Sequence, residues 1–156
     1  MKDFDPAPWL SESMKLAEKA SAEDEVPVGA VVVRESRIIG RGYNRREQDG
    51  DPLAHAEMMA IREAAAELGS WRLENCSLIV TLEPCPMCLA ACQQARITAL
   101  YYGAKDPKGG ALSLGYSLHQ DPRTHHRFEA HFVEEPRCGQ ILTAFFLKKR
   151  NASKVR

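Results

Sequence analysis

The stretch SLIVTLEPCPMCLAACQQARITALYYG, Ser77–Gly103, decides how this chain folds. Its first six residues, SLIVTL, are a short apolar run of strand length. PCPMCLAACQQA follows with a proline early, where a missing N–H costs a helix nothing. ITALYYG, Ile97–Gly103, is a second strand. Strand, helix and strand in that order pair the two strands in parallel through a right-handed crossover.

Working outward, Pro8 to about Ala22 puts Trp9, Leu10, Met14 and Ala17 on one side and predicts a first helix. VGAVVV (28–33) and RIIGRGYN (37–44), separated by RES, predict a hairpin. REQDGDP (46–52) reads as a polar loop. LAHAEMMAIREAAAELG, Leu53–Gly69, is an amphipathic helix closed by a glycine that accepts the left-handed conformation. Ala104–Thr124, rich in Gly, Pro, Asp and Lys, predicts a long loop with one short helix. RFEAHFV (127–133) alternates like a fifth strand, and Ile141, Leu142 and Phe145 mark a closing helix. The order predicts an α/β fold: three α/β/α layers around a central mixed, mostly parallel five-stranded sheet. The 156 residues suit one domain, 1–156, with a C-terminal helix over about 136–150 and a basic tail at 148–156.

The formal net charge is zero, from 21 basic and 21 acidic residues, which excludes a protein that coats nucleic acid by charge alone. From Phe145 to Arg156, however, there are Lys148, Lys149, Arg150, Lys154 and Arg156 and no acid. That segment is either a frayed solvated tail or a local patch for phosphates. No apolar run approaches the ~20 residues of a membrane span, so no membrane partner is expected. MKDFDPAPWLSES lacks the apolar core of a secretory signal, which predicts a cytoplasmic address. The five cysteines, at 76, 85, 88, 92 and 138, then predict no disulfide framework. Cys85 and Cys88, at C-x-x-C spacing, point instead to a metal or a redox pair.

If Pro86 is the first helical residue, Cys85 is its N-cap and Cys88 lies on the same face three positions on. Both sulfurs then leave the front of the helix, where unpaired N–H groups and the dipole favour thiolate. His55 stands at the front of the other helix, and parallel strands deliver both helix N-termini from one sheet edge. One histidine and two cysteines around a point fit a tetrahedral Zn²⁺ with its fourth position left for water. Cys92 is roughly 6 Å further along the axis than Cys88, too far to share the ion, and reads as core. Cys76 and Cys138 read as small buried hydrophobes. An open site needs a base, and Glu57, two residues from His55, can take the water proton and return it to substrate.

HAE at 55–57 with PCPMC at 84–88 resembles the zinc-dependent nucleoside and nucleobase deaminases. EVPVGAVVV (25–33), GYN (42–44), DPLAHAE (51–57), TLEPCPMC (81–88), YGAKDPKGGA (102–111), HHRFE (125–129) and FFLKKR (145–150) resemble the tRNA-specific adenosine deaminases. The resemblance implies hydrolytic deamination of adenosine to inosine at the wobble position of a tRNA anticodon stem-loop, by a homodimer with one zinc per subunit. It implies that Asn44 and the Ala56 backbone hold the base, that Val28 and Leu82 wall its pocket, and that Asp106 and Lys108 lie near the anticodon backbone. Phe145 and the basic residues through Arg150 match a helix that touches the RNA.

Each implied role has a plainer alternative. Asn44 can cap a turn, Asp106 can serve the turn before Pro107, and Phe145 can be core. His125 and His126 are two further possible ligands. The chain has Leu53 where the family often has threonine, LSLGYSL at 112–118, and acids at Glu47 and Asp49. These differences touch loops that choose the substrate. The competing functions are a deaminase of free guanine or cytosine, a non-catalytic zinc module that binds RNA, and a thioredoxin-like redox role. The last two leave Glu57 without purpose.

Overall fold

The computed structural model describes residues 3–154. Five strands form one sheet in the order β2-β1-β3-β4-β5: β1 Gly29–Arg34, β2 Arg37–Tyr43, β3 Ser77–Val80, β4 Ala99–Tyr102 and β5 Glu129–Phe132. β1 runs antiparallel to both β2 and β3, while β3, β4 and β5 pair in parallel. Four strands therefore point one way and β1 alone opposes them, so the sheet is mixed and mostly parallel. The β1–β2 hairpin closes through Glu35 and Ser36, both at positive φ (51° and 58°). That is the form of a two-residue turn whose twist suits the strands.

The helices are α1 Ala7–Ala22, α2 Arg46–Asp49, α3 Ala56–Leu68, α4 Pro86–Gln94 and α5 Pro136–Lys154. Alternate residues of the strands feed two cores. Ala30, Val32, Leu78, Val80 and Leu100 pack with Ala56, Ala60 and Ala64 of α3 and Leu89 and Cys92 of α4. Val31, Val33 and Ile79 face the other way, toward Leu10 and Met14 of α1 and Cys138 of α5. The three layers follow from that alternation.

Two corrections concern segments without a strong apolar period. The polar loop at 46–52 contains the four-residue α2, held because the buried Glu25 carboxylate accepts the N–H groups of Glu47 and Gln48 at 3.0 and 2.9 Å. The C-terminal helix, expected to end near residue 150, continues to Lys154, so the described part of the basic tail is helical. Residues 155 and 156 lie outside the described residues. The loop after β4 holds a single 3-10 turn at Leu118–Gln120.

α3 sits unusually close to the sheet, and this sets the height of the site. Gly40 and Gly42 of β2 lie beneath it; a Cβ on Gly42 would overlap the Ala56 carbonyl oxygen and stand 2.6 Å from the Ala60 nitrogen. The glycines and the alanine face of α3 are one device for bringing two backbones together. At the far end Gly69 closes the helix at φ 63°, as its type predicts.

Candidate active site

α3 and α4 begin beside each other at one end of the sheet. Their N-cap residues are His55 and Cys85, both extended (ψ 151° and 170°), and neither side chain caps its own helix. Both side chains are therefore free to turn outward. Cys88, one turn into α4, is fully buried and completes the group. His55 Nδ1 stands 3.7 Å from Cys85 Sγ and 3.5 Å from Cys88 Sγ, and the three donor atoms lie within 4.8 Å of one another. Zn–S bonds of about 2.3 Å and a Zn–N bond of about 2.0–2.1 Å at tetrahedral angles put such donors about 3.6 Å apart. The donors fit zinc by type, number and separation.

The electrostatics of the free site point the same way. The Cys85 thiol is pulled down to about 4, first by the hydrogen bond from Cys88 and then, against the burial that opposes it, by His55. Cys88 is pushed strongly up, first by its bond to Cys85 and then by burial. The pair is thus biased in opposite directions, Cys85 toward thiolate and Cys88 toward thiol. His55 is raised, first by its bond to Cys85. Cys92 is buried in the core and its thiol is pushed up by desolvation, so it stays outside the group as its axial distance requires. Cys76 and Cys138 are likewise buried and free.

Glu57 is the second residue of α3 and is 4% exposed. Burial raises its pKa as the largest effect and the Cys85 charge adds to it, while its own backbone N–H, His55 and Cys88 oppose. A carboxyl so placed holds a proton more readily than a surface glutamate, as an acid–base shuttle must.

These groups open into a cavity of about 410 Å³. His55, Glu57 and Cys85 line it together with the apolar Val28 and Leu82 and the polar Asn44 and Asp106. Asn44 does two things at once: its Oδ1 accepts the Ala56 N–H at 2.9 Å, and its Nδ2 donates to Val26 O at 3.1 Å. The Ala56 N–H, expected to face a base, is thus already bonded to Asn44. Asp106 makes a local turn as well, accepting from the N–H groups of Lys108 and Gly109 at 3.2 and 3.1 Å.

Three residues named from the sequence as RNA contacts lie outside the lining of this cavity. Lys108 is exposed and outside the cavity, whereas Lys105 lines it. Phe145 is buried at 8% exposure and lines an adjoining cavity with Phe146 and Lys149, while Phe146, with Leu142, also lines this one. Leu142 and Phe146 are four apart, so helical periodicity carried that signal. Arg150 is exposed on α5. His126 binds Ile97 O through Nε2 at 2.7 Å and stacks on Phe128, and His125 is exposed; neither joins the metal group. Arg46 and Glu83 also line the cavity, and nothing in their spacing announced them.

The description "cytidine and deoxycytidylate deaminase zinc-binding region" belongs to a family model that matches residues 6–104, a span holding His55, Glu57, Cys85 and Cys88. The chain belongs to this deaminase family. Its cofactor is zinc. The tRNA-specific adenosine deaminase of Bacillus subtilis is 45% identical over 148 residues, 94% of this chain and 92% of that one. A structure solved in work on A-to-I editing by tRNA:A34 deaminases matches with TM-score 0.82 and 43% identity, covering 87% of this chain and 99% of its own. The guanine deaminase of Bacillus subtilis matches with TM-score 0.64 and 31% identity, covering 91% of this chain and 94% of that one.

Proposed function

We propose that this deaminase converts adenosine to inosine at the wobble position of a tRNA anticodon. The observation that carries the reading is the buried Glu57 beside an open His55–Cys85–Cys88 group at a base-sized cavity. Its high identity to a tRNA-specific adenosine deaminase supports the choice of substrate.

His55, Cys85 and Cys88 would hold zinc, which when bound supplies a Lewis acid that lowers the pKa of water. Val28 and Leu82 wall the base on its apolar faces and exclude bulk water. Asn44 fixes the start of α3 and presents its remaining amide hydrogen. Glu57 accepts a proton from the attacking water and returns it to the ring nitrogen beside the amine. A second transfer through the same carboxyl protonates the departing amine. One water is consumed, the C–N bond breaks, a carbonyl replaces the amine, and ammonia leaves.

The anticodon stem-loop meets the protein where α5 carries the exposed Lys148, Lys149, Arg150 and Lys154, of which Lys149 is paired with Asp24. Local positive charge of this kind positions phosphates on a chain of zero net charge. The functional unit is the single domain acting as a homodimer: an apolar groove between α3 and α4, lined by Met58, Ile61, Ala65, Trp71 and Ala91, is suited to cover by a second copy. No helix among the described residues is long and apolar enough to cross a membrane, and the reading places the enzyme in the cytoplasm with its tRNA.

The test is incubation of the zinc-loaded protein with an anticodon stem-loop bearing adenosine at the wobble position, followed by sequencing for inosine. Free adenosine, guanine and cytosine run in parallel. Inosine in the stem-loop is expected. Guanine turnover with intact RNA would replace this reading with that of the guanine deaminase fold relative.

A further inference from the structure

Glu83 is a buried carboxylate that the reaction does not use. It is 3% exposed and lies two residues before Cys85. Its side chain reaches both ends of the loop that passes over the cavity. Oε1 accepts the Asp106 N–H at 3.2 Å and the Ser113 hydroxyl at 2.6 Å, and Oε2 accepts the Ser113 N–H at 2.8 Å. The backbone adds a second strap, with Glu83 N–H donating to Ala104 O and Ala111 N–H donating to Pro84 O, both at 2.8 Å. Gly110 leaves the carboxylate its space, since a Cβ there would overlap Oε2. Three donors converging on one buried carboxyl group are directional contacts. The loop they fix carries Lys105 and Asp106, which line the cavity, and Lys105 Nζ is further held 4.9 Å from the centre of the Phe132 ring.

We propose that Glu83 is a positioning residue: it anchors the 105–113 loop to the metal-bearing segment and so sets where Lys105 and Asp106 meet the RNA around the inserted nucleoside. The proposal rests on the reading of this cavity as a site for an RNA nucleoside. It assigns the loop a defined height above the base, tied through two residues to the zinc ligand Cys85. It also explains why an acid stands at a place where the chemistry already has its carboxyl in Glu57.

Glu83→Gln separates this role from general stability. A glutamine is the same size but replaces one oxygen with an N–H donor. With its amide nitrogen at the Oε2 place, it would oppose the Ser113 N–H. With the nitrogen at the Oε1 place, the Ser113 hydroxyl can rotate to accept, and the loss falls on the Asp106 N–H alone. The variant therefore frees the end of the loop next to Lys105 and leaves the other end attached.

The experiment compares wild type, E83Q, K105A and the double variant on the adenosine stem-loop, with zinc content measured on each. E83Q is expected to keep one zinc per chain and raise KM about tenfold, with kcat held within about threefold. The double variant is expected to lose less than the product of the two single losses, because part of the effect of Glu83 runs through Lys105. A KM for E83Q equal to wild type, losses that multiply in the double variant, or loss of zinc would each overturn the proposal. If E83Q does not fold, Ser113→Ala removes one bond from the same carboxylate and should raise KM about threefold; an unchanged KM there overturns it equally. The two readings fail separately: a wild type that leaves the stem-loop unedited refutes the substrate, whereas an unaffected E83Q beside an active wild type refutes only the positioning.

Discussion

Gly42→Ala joins the fold to the chemistry. The new Cβ would stand 2.6 Å from Ala60 N and 2.8 Å from Met59 Cβ, against ordinary contacts of 3.4–4 Å, and would overlap Ala56 O. α3 must lift, or β2 must fall away, by about 1 Å. Overpacking of this kind costs about 1–3 kcal/mol, which lowers Tm by roughly 2–4 °C per kcal/mol for a chain of this size. Ala56 stands between His55 and Glu57, so a lifted helix stretches the His55–sulfur separations of 3.5 and 3.7 Å and moves the carboxyl with them. A misplacement of about 1 Å costs on the order of 100-fold in rate. Gly40→Ala is the control: its Cβ would press on Ala60 and Ala64, a turn further from the site. Melting curves, zinc content and kcat/KM on the stem-loop are measured for both. The expected result is similar loss of Tm in the two variants, with the loss of turnover concentrated in G42A. Full zinc and wild-type kcat/KM in G42A, with Tm lowered, would show that β2 gives way instead, and the coupling between glycine and site would be refuted.

Glu57→Gln should bind zinc at wild-type stoichiometry and lose about 10²–10⁴ in kcat, since general acid–base transfer contributes that much; loss of metal would move Glu57 from proton transfer to ligation. Zinc takes cysteine as thiolate, and the Cys88 thiol is held strongly up by its bond to Cys85 and by burial, so metal binding should expel its proton. The apparent zinc affinity, measured by chelator competition, should therefore rise with pH between about pH 6 and 8, and a flat profile would contradict proton release from Cys88. Replacing Lys148 and Arg150 with alanine should weaken stem-loop binding and reduce the slope of log K against log salt by about 0.7–0.9 for each phosphate no longer neutralised, whereas an unchanged slope returns the exposed face of α5 to solvent. Trp71→Glu, at a side chain 54% exposed in the α3–α4 groove, should shift sedimentation from dimer to monomer. A monomeric wild type would remove the groove's assigned partner.

The metal group was readable because its residues are local punctuation. His55 and Cys85 are helix N-caps, Pro86 fixes the first helical position, and the strand between the two helices brings both caps to one edge. The sheet was readable for a similar reason: SLIVTL and ITALYYG flank a helix, and strand–helix–strand leaves one common hand. The cavity walls come from distant contacts that periodicity does not encode. Lys105 lines the cavity, while Asp106 turns the chain by accepting the N–H groups at 108 and 109 and Lys108 stands exposed. Phe146 lines the cavity, while Phe145 is mostly buried and lines the adjoining one with Phe146 and Lys149. α2 was invisible because its stability comes from Glu25, some twenty residues upstream, and not from its own four residues.

The choice of two thiolates and one imidazole bears on Glu57 as much as on the ion. A carboxyl in the first turn of a helix ordinarily loses protons easily, because the unpaired N–H groups and the dipole favour the anion. Here the backbone does pull Glu57 down, but burial outweighs it. Two thiolates cancel the formal charge of a divalent cation, so zinc held by them would leave the group beside Glu57 formally neutral rather than cationic. Three neutral imidazoles in the same places would leave two positive charges near the carboxyl and depress it. The C-x-x-C pair thus holds the metal and also lets burial set the proton affinity of the glutamate beside it. α3, which carries that carboxyl, lies on Gly42, so a glycine in an edge strand and a cysteine pair thirty residues beyond His55 bear on the same group.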